Sequence, residues 1–255
     1  MSPLLSIKNL RVSFKNFTAV NGVSFDVEKN EVFAVVGESG SGKSAAALSI
    51  TRLHNKNFTR VTGEILFGGK NLLTISEREL YKIRGKEIAV ILQDPTTALN
   101  PLIRAGKQIE EPLLYHTNFS AAARKSRVLE LLNAVGIANP HRVYSAFPHE
   151  LSGGMCQRIV IAAALACEPA LIIADEPTTA LDVTVQSQIL DLLGTLQKNF
   201  GTAIILITHD LGVVAETAHR VAVMHEGQIV ETADVRRLFK NPSHPYTRRL
   251  LDSMP

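Results

Sequence analysis

A chain of 255 residues, 45% hydrophobic and 20% charged, has enough apolar material for one large core or a core with a subdomain. A net charge of +3, with Lys and Arg scattered along the chain, is too small to argue for nucleic acid or an anionic membrane surface as a partner. The most apolar run, Ile159–Cys167, stops at Glu168-Pro169, well short of the roughly 20 residues that cross a bilayer, and Met1–Leu10 alternates like a strand rather than a signal peptide.

In chain order, alternation predicts strands over Leu5–Phe14, Val20–Val27 and Glu31–Val36, with turns near Gly22 and Asn30. A Gly-rich loop, Gly37–Gly42, leads into a helix over Lys43–Leu53. Gly63–Phe67 and Glu87–Gln93 read as strands, with a charged helix around Ser76–Ile83 between them. From Pro101 to about Ala146 the period is helical, as in Ala121–Val135, which Gly136 ends. Met155–Ala166 reads as a helix, Leu171–Ala174 as a buried strand, Val183–Asn199 as an amphipathic helix and Ala203–Thr208 as another buried strand. Val221–Glu226 and Gln228–Thr232 form a hairpin around Gly227, and a short helix near Ala233–Phe239 precedes an Asn-Pro-Ser-His-Pro segment. Buried strands alternating with helices predict an α/β fold: a mainly parallel sheet covered on both faces, with an antiparallel β subdomain and a helical insert.

The two cysteines, Cys156 and Cys167, fall in what reads as a single helix and form no CxxC pair, so a bridge is not expected and a reducing, cytoplasmic setting fits. Apart from His209 the eight histidines have no ligand spacing, which makes surface or capping roles the expectation.

Three motifs carry chemistry. Gly37-Glu38-Ser39-Gly40-Ser41-Gly42-Lys43-Ser44 fits the phosphate-loop pattern, set between a predicted strand and a predicted helix. Its glycines let backbone N–H groups close around phosphate oxygens, Lys43 reaches the β- and γ-phosphates, and Ser44 is placed to ligate Mg²⁺. Leu171–Glu176 is an apolar strand ending in two carboxylates; Asp175 suits magnesium, and Glu176 suits a general base for an attacking water. Leu151-Ser152-Gly153-Gly154 precedes a helix, as a plain N-cap does, and it also has the form of a second anion site aimed at another molecule.

Taken together in this order, the motifs resemble the ATP-binding cassette (ABC) family over about Leu5–Tyr246, with a glutamine loop from Gln93, a signature at Leu151–Gln157, a D-loop at Ala180-Leu181-Asp182 and a switch histidine at His209. The resemblance implies a phosphate-loop ATPase whose β subdomain and RecA-like core span about 1–94 and 165–240, whose helical subdomain spans about 95–164, and whose C-terminal extension is 241–255. It also implies that Gln93 contacts Mg²⁺ or the attacking water, that Glu176 is the base, and that His209 holds the γ-phosphate. On the same basis Ser152, Gly153 and Gly154, with Gln157 in the signature, meet ATP held by an opposite subunit, and Phe14 stacks on adenine, with Phe17 as its rival. The signature reads Ser-Gly-Gly-Met-Cys-Gln where many members differ after the glycines.

A finer likeness, in Gln93–Pro101, Ala166–Gln186 and Asn241–Leu251, is to bacterial importers of peptides and nickel. Many peptide-importing members continue into a cysteine-bearing tail, and the end at Pro255 tilts the expectation slightly toward nickel or a nickel chelate over di- or oligopeptides. The implied partners are a paralogous ABC ATPase (a second copy for the chain in isolation), two transmembrane permeases and, indirectly, an extracytoplasmic solute-binding protein, all without nucleic acid. The implied place is the cytoplasmic face of the inner membrane. The rival is a non-transport ABC ATPase acting on nucleic acid or the ribosome.

Overall fold

The computed structural model describes residues 2–178 and 183–252. The chain runs β1 (Leu5–Phe14), β2 (Phe17–Val27), β3 (Val32–Val36), α1 (Lys43–Ile50), β4 (Thr59–Phe67), β5 (Lys70–Asn71), α2 (Glu77–Ile83) and β6 (Ile88–Ile91). Then come α3 (Pro95–Ala98), α4 (Ala105–His116), α5 (Ala121–Ala134), α6 (Pro140–Ser145), a 3₁₀ turn at Pro148–Glu150, α7 (Gly153–Leu165) and β7 (Leu171–Asp175). The last part is α8 (Val183–Phe200), β8 (Ala203–Thr208), α9 (Leu211–Thr217), β9 (Arg220–His225), β10 (Gln228–Asp234), α10 (Val235–Lys240) and α11 (Pro245–Asp252). These elements form two compact units, Met1–Tyr81 with Ala203–Pro255, and Lys82–Thr202.

The first unit holds an antiparallel sheet in the order β2-β1-β4-β5. Beside it in sequence, β3 pairs in parallel with both β8 and β9, and β10 closes antiparallel on β9. All five residues of β3 and all six of β8 are buried. Strands covered on both faces read as unbroken apolar runs, which is how Val32–Val36 and Ala203–Thr208 look in the sequence. Glu31, just before β3, is buried; its carboxylate accepts from the Glu28 amide (2.7 Å) and pairs with Arg220 (3.1 Å).

The second unit joins the parallel pair β6–β7 to a helical layer in which α4, α5 and α7 pack on one another. Ile109 and Leu113 of α4 lie four apart on its buried face, and Val128, Leu131 and Leu132 do the same for α5. Ser120 caps α5 by accepting from the Ala123 amide. Gly136, at φ +76°, ends it: its amide donates to Asn133 O and the Ile137 amide to Leu132 O, a Schellman closure.

One carboxylate is built into that helical layer. Glu110 on α4 is buried and accepts from Lys107 Nζ (2.7 Å), Arg124 Nε (2.9 Å) and Tyr144 Oη (3.1 Å). Burial, the largest influence, pushes its pKa up; the hydrogen bonds and charges of Lys107 and Arg124 together outweigh it and leave the carboxyl below its ordinary 4.5. Because the folded group titrates below its unfolded value, its stabilisation is complete above the unfolded pKa and is lost as pH falls through the folded one. Glu110→Ala is expected to cost about 2–3 kcal/mol, less than a fully buried pair, because Lys107 is solvent-exposed. Urea unfolding at pH 7 and pH 3 checks this: the gap between wild type and variant should shrink at the lower pH.

Candidate functional site

In the first unit the fully buried β3 delivers the chain into the Gly37–Ser44 loop, and α1 starts at Lys43. Gly37, Gly40 and Gly42 take φ of +151°, +81° and +100°, values side chains disfavour. A Cβ at Gly37 would overlap the carbonyl oxygen of Met224, and one at Gly42 that of Ala19, so the loop lies directly on two neighbouring backbones. Lys43 is 6% exposed, and its Nζ donates to Gly37 O (2.7 Å) and Glu38 O (2.8 Å). Gly42 offers α1 no side-chain cap and the first turn holds no acid, which leaves an N-terminus of the kind that receives anions. The buried Ser41 Oγ has no hydrogen-bond partner among the described residues. An orphaned hydroxyl inside a glycine cradle fits a phosphate group.

Two other candidates of this unit sit at element ends. Phe14, the last residue of β1, is half-buried with its ring edge-on to His54 (5.5 Å between centroids, 80°), while Phe17, opposite it across the hairpin, is 63% exposed. His209 follows β8 directly and is exposed, next to Asp210, whose side chain caps α9 through the Val213 amide (3.1 Å).

In the second unit, β6 and β7 pair in parallel register from Ile88↔Leu171 to Ile91↔Ala174. Carried two residues further, the same offset sets Gln93 opposite Glu176, and Gln93 Nε2 donates to Glu176 Oε2 at 2.9 Å. Asp175 is buried at the end of β7. Glu176 takes φ +47°, a conformation that costs a non-glycine residue on the order of 1 kcal/mol or more. Ser152 and Gly153 are exposed at the start of α7, and Ser152 Oγ accepts from the Met155 amide (3.3 Å). Gln157 is different: it is 0% exposed, and its Nε2 donates to Pro177 O at 2.6 Å. Its amide thus ties the signature helix to the turn after Glu176. Asp182 lies outside the described residues.

Tyr246 is a contact that sequence reasoning did not single out. Its hydroxyl accepts from the Glu38 amide (3.3 Å), a link across 208 residues. In the sequence it is a lone aromatic after His-Pro, within the Asn241–Leu251 stretch.

Residues 20–179 match the ABC transporter family, and residues 230–255 match the oligopeptide/dipeptide transporter C-terminal region. The chain is 55% identical over 259 residues to the oligopeptide transport ATP-binding protein OppD of Bacillus subtilis strain 168, covering 99% of this chain and 72% of that protein. It is 52% identical over 257 residues to the dipeptide transport ATP-binding protein DppD of Lactococcus lactis subsp. cremoris strain MG1363, covering 99% and 74%. Its structure is similar to a dimeric post-hydrolysis ATP-binding cassette, MJ0796, bound to ADP and Pi, with a TM-score of 0.81, 30% identity, and 91% of this chain and 99% of that one covered. The chain therefore belongs to the ABC transporter family. It has the ABC-ATPase fold, binds ATP and is an ATPase coupled to transport.

Replacing Gly42 tests the cradle. Gly42→Ala combines a disfavoured φ with an overlap on backbone, and is expected to weaken ATP binding at least about tenfold, since strain of that kind costs on the order of 1–3 kcal/mol. Calorimetric titration of the purified chain with ATP measures it.

Proposed function

We propose that this chain is an ATP-hydrolysing subunit of a peptide importer, working across from a paralogous ABC ATPase and beneath two permeases served by a solute-binding protein. The observation that carries the hydrolytic part is the 2.9 Å contact of Gln93 with Glu176 at the ends of two paired strands. In this reading residues 37–44 hold the phosphates, Phe14 stacks on adenine, and His209 meets the γ-phosphate. Glu176 takes the proton of the attacking water, which Gln93 helps to orient. Ser44, Gln93 and Asp175 are all oxygen donors, the hard-ligand set that Mg²⁺ takes, and the ion when bound neutralises charge on the phosphates. Ser152, Gly153 and Gly154 serve the nucleotide of the opposite subunit, and Asp182 is the D-loop residue. Gln157, fully buried, serves by holding the Pro177 turn in place.

The peptide cargo is supported by the transport names of the relatives and by the match over residues 230–255. Nickel, toward which the shortness of the chain tilted the sequence reading, draws no support from them. The aligned stretch is only 72% and 74% of those relatives, so length does not discriminate between cargoes. A role on nucleic acid or the ribosome is likewise not favoured by relatives of this kind. No helix among the described residues is long and apolar enough to cross a membrane, which accords with attachment at the cytoplasmic face through the permeases. For that attachment we assign the segment after Gln93, about 94–111, where Leu102 is 83% and Ile103 42% exposed.

Glu176→Gln is expected to keep ATP affinity while turnover falls about 10²- to 10⁴-fold, the usual worth of a general base. Near wild-type hydrolysis in that variant sinks the assignment. Pull-down from native membranes, read by mass spectrometry, tests the assembly. It should recover two permeases, a second ATPase and a peptide-binding protein, whereas a nickel-binding protein in that place would overturn the cargo.

A further inference from the structure

The C-terminal segment of the first unit returns to the phosphate loop. Both oxygens of Glu231 on β10 are engaged by its backbone, with the Ser243 amide donating to Oε1 (2.8 Å) and the His244 amide to Oε2 (2.9 Å). His244 Nδ1 then accepts from the Tyr246 amide (3.2 Å) in the first turn of α11. The buried Tyr246 ring stacks on His225, the last residue of β9, with centroids 3.8 Å apart and planes 22° apart. Its hydroxyl is held against the Glu38 amide inside the loop. The adjoining β9–β10 turn adds a second tie, as the Gly227 amide donates to Ser41 O (3.0 Å).

The chemistry of the peptide group makes the first tie more than packing. The Gly37 carbonyl and the Glu38 N–H are two ends of one planar unit. Lys43 Nζ holds the oxygen end, and Tyr246 Oη holds the N–H end. Rotation of that plane would carry the Gly37 oxygen away from Lys43 and so loosen the ammonium, which Glu38 O also holds. We propose that Tyr246 is a positioning residue for the phosphate loop: its hydroxyl fixes the Gly37–Glu38 peptide plane, so the docking of residues 241–252 sets the affinity for nucleotide. This rests on the reading that residues 37–44 hold ATP.

Tyr246→Phe removes one oxygen and keeps the stack on His225. With the full chain and Mg-ATP in a calorimeter, the dissociation constant is expected to rise about 2- to 10-fold, the net worth of one hydrogen bond. The melting temperature should hold. In the assembled transporter KM for ATP should rise while kcat stays within about twofold, a split that general loosening of the fold does not produce. Glu231→Gln, which weakens the anchor from the other side, should move the dissociation constant the same way. Unchanged ATP affinity in Tyr246→Phe overturns the inference, and so does a weakening matched by a fall in melting temperature and kcat. Lys43→Ala separates the two levels: if it abolishes binding, the loop reading stands and a silent Tyr246→Phe sinks only the positioning role. If Lys43→Ala binds ATP like wild type, both readings fall.

Discussion

A strand covered on both faces has no side chain to spare for chemistry. β3, β7 and β8 are buried along their whole length, and their sequences are almost wholly apolar. Reactive groups can then stand only where such a strand ends, and in parallel strands the C-terminal ends are the natural place. Each group of core candidates in this chain obeys that constraint. The 37–44 loop follows β3, Gln93 follows β6, Asp175 and Glu176 finish β7, and His209 follows β8. The positions of the site are therefore set by the same burial that stabilises the sheet, at roughly 1.5–3 kcal/mol for each Val, Ile or Leu taken from water.

Strand ends give positions; backbone geometry gives precision. In the phosphate loop the approach of Met224 O and Ala19 O leaves no room for a Cβ at Gly37 or Gly42, so the glycines there answer both to φ and to space. At β6–β7 the shared register does the equivalent work, since a slip of one residue would turn Gln93 away from Glu176. The left-handed backbone at Glu176 is a local cost of aiming that carboxylate, and Gln157, bonded to Pro177 O in the next turn, is placed to hold the chain there.

Much of this was legible in the residues. Strands over Leu5–Phe14 and Ala203–Thr208 have the bounds that their apolar patterns predict, and Gly136 ends α5 as a Schellman glycine should. The Gly37–Ser44 turn between a strand and a helix could be read because its glycine spacing encodes backbone shape. α9 and α11 were not read, for a physical reason: both are short, at seven and eight residues, and one contains Gly212 while the other starts at a proline that also suits a turn. α9 is marked by the Asp210 cap, a local signal, and α11 by the Glu231 anchor ahead of it. The second of these connects residues that only the fold brings together, so no pattern along the chain contains it. Phe14 and Phe17 illustrate the same limit, because only the two turn residues Lys15 and Asn16 separate a half-buried ring from an exposed one.

The carboxylates of this protein differ in their partners. Glu110 and Glu231 have both oxygens engaged by cations or backbone amides, and those bonds hold each pKa below the ordinary carboxylate value despite burial. Such groups stay ionised at neutral pH and act as fixed crosslinks, one within the helical layer and one under the C-terminal segment. Glu176 has among its partners an amide from an exposed loop residue, Gln93, whose side chain carries a donor and an acceptor on one carbon. That amide can give its donor to the carboxylate in one state and turn its acceptor toward a metal or water in another, whereas the Arg124 guanidinium beside Glu110 has only donors to give. Under the proposed reading, the carboxylate that exchanges partners, Glu176, is thus paired with an amide, whereas Glu110 and Glu231 are paired with charges and backbone.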